Sequence, residues 1–285
     1  MIIFMSKKFW FYFNAAVASA ASAVTLFCAF APNDWFGQHT WCKAILALAI
    51  LAIICWLYGL AQTGEKSKIS LKISPNLRLN ILKGDLFKQR DIVVIPVNEY
   101  FDTRVDDVII ARRTIHGKFI EKYFRGNEDG LYQEIEQALR GTAFDRNEQR
   151  AHLGARVKKY PIGTCADVDV DGTTFVLFAL THFDEQDKAY LPRDEFAEAI
   201  KKLMDHLSQI ANNRPVYMPL IGTGLARLNQ THQRILLYII DTIDFSCPVA
   251  INAGLNIMIY EGDMDKVNLG KIEEYYNETF NNIEL

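Results

Sequence analysis

The key segment of this chain reads Val216-Tyr-Met-Pro-Leu-Ile-Gly-Thr-Gly-Leu-Ala-Arg-Leu-Asn-Gln-Thr231, and an apolar-periodic run, Arg234–Phe245, follows it. The pattern predicts a buried strand, a tight turn with two glycines and an amphipathic helix. Gly222 and Gly224 would let a diphosphate lie against backbone N–H groups, and the Thr223 hydroxyl would add a donor. The alternative is an ordinary turn in which the glycines only make the bend.

Two long apolar runs occupy the front of the chain, which has 285 residues and a formal net charge of −3. No charged residue occurs from Phe9 to Ala31 or from Ala44 to Ala61. Each run can cross a hydrocarbon core about 30 Å thick, at about 1.5 Å per residue. We therefore predict two transmembrane helices within residues 1–62, at about 9–31 and 43–61, then a linker at 63–76 and an α/β domain at 77–285.

The first apolar run has an alternative interpretation as a signal peptide, because Lys7 and Lys8 precede it and it contains Ala18-Ser-Ala20. A second span that follows at once favours a permanent helical hairpin. Basic residues flank this hairpin on both sides, at Lys7, Lys8, Lys66, Lys68 and Lys72. The positive-inside rule then predicts a multi-pass protein of the inner cell membrane, with its N-terminus and its α/β domain in the cytoplasm.

The first span carries a face of small residues. Asn14 and the run Ala15–Ser22 place small side chains four apart along the predicted helix. Small residues let helices approach closely and hydrogen-bond within lipid. Either the two spans of one chain pack through this face, or copies of the chain associate through it as a homo-oligomer in the lipid bilayer.

Beyond the linker, strand patterns alternate with helix patterns. The strands are predicted at Leu77–Leu82, Ile92–Val97, Arg156–Ala166, Thr173–Leu180, the start of the key segment and Leu255–Tyr260. The helices are predicted at Val105–Phe124, Leu131–Leu139, Arg193–Ala211, Arg234–Phe245 and Asp265–Phe280. This alternation predicts a three-layer α/β fold, with a mixed, mostly parallel sheet and helices on both faces. Ligands bind such sheets at the carboxyl ends of the strands.

Three of these strand ends carry groups suited to a nucleotide. The first strand leaves through Lys83-Gly-Asp-Leu86, the second through Pro96-Val-Asn98 and the fifth through Gly222-Thr-Gly224. A carboxylate, an aromatic face and backbone donors match the amino group, the base and the phosphates of an adenine nucleotide. Together with the order of the elements, these motifs resemble the macro domain, an ADP-ribose-binding fold, from about Arg78 to the C-terminus.

The resemblance implies a role for each strand end. Asp85, with Leu86 beside it, would accept a hydrogen bond from the adenine amino group, and Tyr260 would stack on the adenine ring. The diphosphate and the distal ribose would lie in a cradle made by Gly222, Thr223, Gly224 and Leu225. Asn98 matches the first asparagine of a motif that follows the second strand in the family.

The residues after Asn98 depart from the family. Macro domains that remove ADP-ribose from proteins carry Asn-Ala-Ala-Asn and a glycine-rich loop there, whereas this chain has Asn98-Glu-Tyr-Phe101 and no glycine until Gly117. The departure argues against a hydrolase, and we predict no catalytic residue. The segment Thr114-Ile-His-Gly-Lys118 would replace the loop, with Gly117 allowing close approach and His116 or Lys118 facing phosphate. The alternative is a helix interior whose histidine and lysine face solvent.

The residue types give little support to a metal site, a disulfide framework or a nucleic-acid-binding surface. The five cysteines include no Cys-x-x-Cys pair, so neither a zinc site nor a disulfide framework is indicated, and we predict no metal and no cofactor. With a net charge of −3, Arg112-Arg113 is interpreted as a solvated helix face rather than a nucleic-acid contact. His182, at the end of a predicted strand, is interpreted as a satisfied core or rim residue.

A membrane hairpin joined to a nucleotide-sensing domain resembles the membrane effector of type II Thoeris anti-phage systems. The resemblance implies a functional link to a partner with a TIR domain, which makes an ADP-ribose-type signal such as histidine-ADP-ribose from NAD. The macro-like domain would bind the signal and trigger assembly of the transmembrane part, which disrupts the membrane. The alternatives are a membrane-tethered ADP-ribosyl hydrolase and a constitutive membrane scaffold.

Overall fold

The computed structural model describes residues 12–22, 51–58, 66–150, 154–224, 228–245 and 249–280. The chain divides into two units, Met1–Glu65 and Lys66–Leu285. In the first unit the described residues 12–22 and 51–58 are helical. They fall inside the predicted spans 9–31 and 43–61, and the rest of both spans lies outside the described residues. Within the described ranges, no helix combines the length and the apolar character needed to cross a bilayer.

The helical residues 12–22 include part of the small-residue face. The hydroxyl groups of Ser19 and Ser22 donate to the carbonyl oxygens of Ala15 and Ala18, each at 2.9 Å. These bonds run back along the same helix by four residues, so each serine is satisfied without a partner from elsewhere. The face can therefore meet another helix through its small side chains without leaving a hydroxyl unpaired.

The second unit is built on an eight-stranded sheet. Its strands are β1 (Lys68–Ser74), β2 (Leu77–Lys83), β3 (Ile92–Asn98), β6 (Cys165–Val170), β7 (Thr173–Phe183), β8 (Ala189–Tyr190), β9 (Val216–Pro219) and β10 (Ile251–Ile259). Their order in the sheet is β1-β2-β10-β9-β3-β7-β6, with β8 beside β7. A separate pair consists of β4 (Asp145–Arg146) and β5 (Lys158–Lys159). The five central strands run parallel, and β1, β6 and β8 pair antiparallel at the margins.

Helices cover both faces of the sheet. They are α1 (Ile115–Tyr123), α2 (Glu128–Ala138), α3 (Arg193–Ile210), α4 (His232–Phe245) and α5 (Leu269–Phe280). Alternate residues of the buried strand β3 show the layering, because Ile92 and Val94 join the core beneath α3, α4 and α5, whereas Val93 and Ile95 join the core beneath α1 and α2. The predicted three-layer fold with a mixed, mostly parallel sheet is therefore confirmed.

The helix predicted at Val105–Phe124 forms only in its second half. Before it, the Asp106 carboxylate accepts hydrogen bonds from the backbone N–H groups of Val108 and Ile109 at 2.9 and 2.8 Å, and Asp107 has a φ of 65°. Aspartate side chains that capture nearby backbone donors compete with the helical bonds. The helix starts only at Thr114, whose hydroxyl caps it by accepting from the N–H of Gly117 at 2.9 Å.

Two further sequence predictions were wrong in detail. The strand predicted at Arg156–Ala166 is broken into β5 and the start of β6, because a turn at Pro161–Thr164 includes Gly163 with a φ of 92°. The residues assigned to the linker at 63–76 include β1, which pairs with β2 and buries Ile69 and Leu71. The alternation of polar and apolar residues in β1 is the period of a half-buried edge strand.

Candidate functional site

The carboxyl ends of the parallel strands open into a cleft with a volume of about 790 Å³. This volume is in the range of small-molecule sites, about 300–1,000 Å³. Ten of the residues predicted to bind ligand line the cleft: Asp85, Leu86, Asn98, Thr114, His116, Lys118, Gly222, Thr223, Gly224 and Tyr260. Gly117 does not line it, and Leu225 lies outside the described residues.

Asp85 follows β2 and caps the short 3-10 helix Leu86–Lys88. Its Oδ1 atom accepts a hydrogen bond from the N–H of Phe87 at 2.9 Å. Within the described part of the chain, no hydrogen bond engages the other oxygen, Oδ2. The carboxylate can therefore stabilise the turn and still accept a hydrogen bond from a ligand amino group.

Tyr260 follows β10 and is 66% exposed. The register of β10 against β2 pairs Ile259 with Lys83, so the chain continues from both strands side by side into Tyr260 and Asp85. The Lys118 ammonium lies 5.8 Å from the centroid of the Tyr260 ring. An exposed aromatic face beside a carboxylate is suited to a planar base that carries an amino group.

Gly222 and Gly224, the two glycines of the key segment, have different structural roles. Gly222 has a φ of 86°, and a Cβ there would lie 2.8 Å from Leu228 Cδ1 and 3.1 Å from Phe196 Cζ. At Gly224 a Cβ would meet no described atom within 4 Å. Between them, the Thr223 hydroxyl donates to the Leu220 carbonyl at 3.0 Å, so it braces the turn. Gly222 is therefore required by the fold, whereas Gly224 leaves space in the cleft.

The segment Thr114–Lys118 forms the first turn of α1. A Cβ at Gly117 would lie 2.4 Å from the Ala111 carbonyl oxygen, so this glycine permits close packing of the preceding loop rather than of a ligand. His116 is buried, and burial lowers its pKa to about 3, against the opposing effect of a hydrogen bond with the Asp102 backbone. The histidine therefore lines the cleft as a neutral ring, and Lys118 carries the positive charge of the segment.

A buried carboxylate joins two of the strand ends beneath the cleft. Glu99 is fully buried, with Oε2 2.6 Å from His182 Nδ1 and Oε1 accepting from the N–H of Phe183 at 3.0 Å. The other ring nitrogen of His182 lies 2.9 Å from Glu195 Oε2. The hydrogen bond with Glu99 raises the pKa of His182 more than partial burial lowers it. The prediction of His182 as a satisfied core or rim residue is confirmed.

Sequence reasoning missed several residues of the cleft, among them Arg113 and Phe183. Arg113 was assigned with Arg112 to a solvated helix face, but it lies in the loop before α1 and lines the cleft. Phe183 ends β7, and its place at the carboxyl end of a parallel strand was the signal that could have found it. Arg113 had no comparable signal, because the loop that carries it was predicted to be helical.

The chain is similar to proteins of known sequence and of known structure. The curated "Thoeris protein ThsA" of Bacillus amyloliquefaciens (strain Y2) is 28% identical over 247 residues, which cover 82% of this chain and 80% of that protein. Among solved structures, the Oceanobacillus iheyensis macrodomain with ADP has a TM-score of 0.50 at 12% identity, covering 75% of this chain and 98% of that one. A mutant of the same macrodomain with ADPR has a TM-score of 0.49 at 13% identity, covering 74% and 100%.

Residues 79–260 match the family described as "Thoeris protein ThsA, Macro domain". This region runs from β2 to the residue after β10, so it contains the central strands and every residue that lines the cleft except Asp263. The resemblance to the macro domain is confirmed, and the chain belongs to the family of the Thoeris protein ThsA macro domain.

Proposed function

We propose that the cleft binds an ADP-ribose-type nucleotide and that the chain is the signal-sensing effector of an anti-phage defence system. The observation that carries the proposal is the strand register between β2 and β10, which brings Asp85 and Tyr260 together at one end of the cleft. The carboxylate would accept from the adenine amino group while the ring stacks on the base. Membership of a family named for Thoeris supports the role in defence.

The diphosphate would lie at the turn after β9, next along the sheet from β10. Gly224 has open space around it, so phosphate oxygens can approach the backbone there. Lys118 stands near Tyr260 and can pair with a phosphate through its ammonium group. The distal ribose would then lie over the end of β3, beside Asn98.

We propose binding without turnover. The Asn98 side-chain oxygen accepts from the backbone N–H groups of Tyr100 and Asp102 at 3.0 and 3.4 Å, so it organises its own loop. His116 is held neutral and buried, with its ring bonded to the backbone. Incubation with an ADP-ribosylated protein should release no ADP-ribose, and release at a rate above a no-protein blank would favour the hydrolase instead.

The apolar runs at 9–31 and 43–61 supply the proposed anchor in the inner cell membrane, with the second unit in the cytoplasm. Ligand would trigger assembly of this part and disrupt the bilayer, which requires that the ligand bind the assembled state more tightly than the resting state. A cysteine introduced between Asn33 and His39 should be labelled from outside intact cells, whereas one near Lys68 should not. The reverse labelling would contradict the topology.

The decisive experiment titrates the purified full-length chain with ADP-ribose, histidine-ADP-ribose and NAD in a calorimeter. We expect saturable binding of at least one ADP-ribose-type ligand, and a shift to a larger or rearranged oligomer on its addition. Binding without any change of assembly would contradict the effector mechanism but leave the sensor intact. Failure of all three ligands to bind would refute the proposed function.

A further inference from the structure

Five acidic or basic side chains line the cleft, and four of them already have a partner in the protein. Asp85 accepts from the Phe87 N–H, His116 is bonded to the Asp102 backbone, and Lys118 lies over the Tyr260 ring. Asp263 is paired with Lys266 at 2.6 Å. The fifth is Arg113, which makes no hydrogen bond, ion pair or aromatic-ring contact with the part of the chain that the structure describes.

The neighbouring arginine shows that this difference is structural. Arg112 pairs with Asp107, and its Nε atom donates to Glu121 Oε1 at 3.1 Å. Its backbone N–H also donates to Asp107 Oδ1 at 2.8 Å. The Asp107 carboxylate is thus occupied by Arg112, whose hydrogen bonds and charge lower the Asp107 pKa more than the charge of Arg113 does. Arg112 is held on the loop, while the next residue, Arg113, lines the cleft.

The loop that carries Arg113 leaves the sheet away from the adenine end of the cleft. Its loop joins β3 to α1, and β3 is two strands from β10, which Tyr260 follows. At about 4.8 Å between neighbouring strands, the end of β3 is about 10 Å along the sheet from the end of β10. A nucleotide with its adenine on Tyr260 and its diphosphate at the turn after β9 would therefore extend its distal ribose towards the end of β3, where the loop that carries Arg113 begins.

We propose that Arg113 sets the charge preference of the cleft for the group attached beyond the diphosphate. This inference rests on the proposed function. A guanidinium is permanently charged, so it attracts a neutral hydroxyl or an anionic group and repels a cation. NAD contains the whole ADP-ribose unit but carries a cationic nicotinamide on the distal ribose. Arg113 therefore discriminates ADP-ribose and its neutral or anionic derivatives from NAD. It attracts the hydroxyl or anionic group of the former and repels the cationic nicotinamide of the latter.

The test measures the ratio of the dissociation constants for NAD and ADP-ribose with the full-length chain, by calorimetry at low ionic strength. Arg113→Gln should lower this ratio about tenfold, which corresponds to about 1.4 kcal/mol. Arg113→Lys keeps the charge and should retain most of the preference, and Arg113→Glu should lower the ratio below that of Arg113→Gln. Raising the salt concentration should weaken the preference of the wild type, because exposed charges are screened.

Arg112→Gln is the matched control, since it removes an adjacent arginine that does not line the cleft. An equal change of the ratio in Arg112→Gln and Arg113→Gln would overturn the inference. So would an unchanged ratio in Arg113→Gln with equal losses of affinity for ADP, ADP-ribose and NAD, because Arg113 would then contact the diphosphate. In both cases the proposed function survives. If the wild type binds none of these nucleotides, the proposed function fails and the inference falls with it.

Discussion

Replacing Asp85 with asparagine tests the adenine site with little disturbance of the fold. The Oδ1 atom of Asp85 caps the turn by accepting from the Phe87 N–H at 2.9 Å, and the asparagine side-chain oxygen can keep that bond. The other position changes from an acceptor to an NH₂ donor, which opposes the adenine amino group. A lost hydrogen bond to a charged group costs about 1.5–3 kcal/mol, and the exposure of Asp85 favours the low end, about tenfold in affinity.

Calorimetry of the full-length protein measures this loss, and thermal unfolding provides the control. Asp85→Ala should lose both the ligand bond and the cap, so it should also lower stability by about 1 kcal/mol. An ADP-ribose analogue in which the adenine amino group is replaced by oxygen should bind poorly to the wild type and regain affinity in Asp85→Asn. If Asp85→Asn binds ADP-ribose as tightly as the wild type and ignores the analogue, the adenine lies elsewhere.

Three other predictions follow from neighbouring contacts. Tyr260→Ala should lose about 1–3 kcal/mol of stacking, whereas Tyr260→Phe should keep it, and equal affinities of the two variants by calorimetry would contradict the stacking. Gly224→Glu should abolish nucleotide binding by repelling the diphosphate, whereas the isosteric Gly224→Gln should retain more affinity; both should fold, since a Cβ there meets nothing within 4 Å. The hydrogen bonds to Glu99 and Glu195 raise the pKa of His182 in the folded protein. The stability that they contribute is therefore fully present below about pH 6.5, the pKa of a free histidine, and is lost as the pH rises through the pKa of His182 in the folded protein. The difference in melting temperature between the wild type and His182→Gln should therefore shrink as pH increases, and a difference independent of pH would contradict the assignment.

The features that sequence reasoning predicted correctly are those that local patterns specify. The buried strand β3 is recognisable because every second residue must be apolar for each of two helical layers. The turn at Gly222 is recognisable because a positive φ favours glycine. Asp85 and Tyr260 were placed at strand ends by the local motifs and the macro-domain resemblance, and both line the cleft.

The remaining features depend on contacts between residues that are distant in the chain, or on competition between alternative hydrogen bonds. Residues of β1 form a strand because β2 supplies hydrogen-bonding partners for their backbone groups. Without that pairing, the polar residues in and around β1 predict a linker. The residues before α1 are not helical because the Asp106 carboxylate accepts hydrogen bonds from backbone N–H groups there.

The difference between Arg112 and Arg113 shows the same division most clearly. The sequence by itself determined that two arginines are adjacent, and it predicted both on one solvated helix face. Only the tertiary structure decided that Asp107 and Glu121 engage Arg112 while Arg113 lines the cleft without a partner among the described residues. The physical reason is that a charge acts according to what lies within a few ångströms of it, and those neighbours are assembled by the fold.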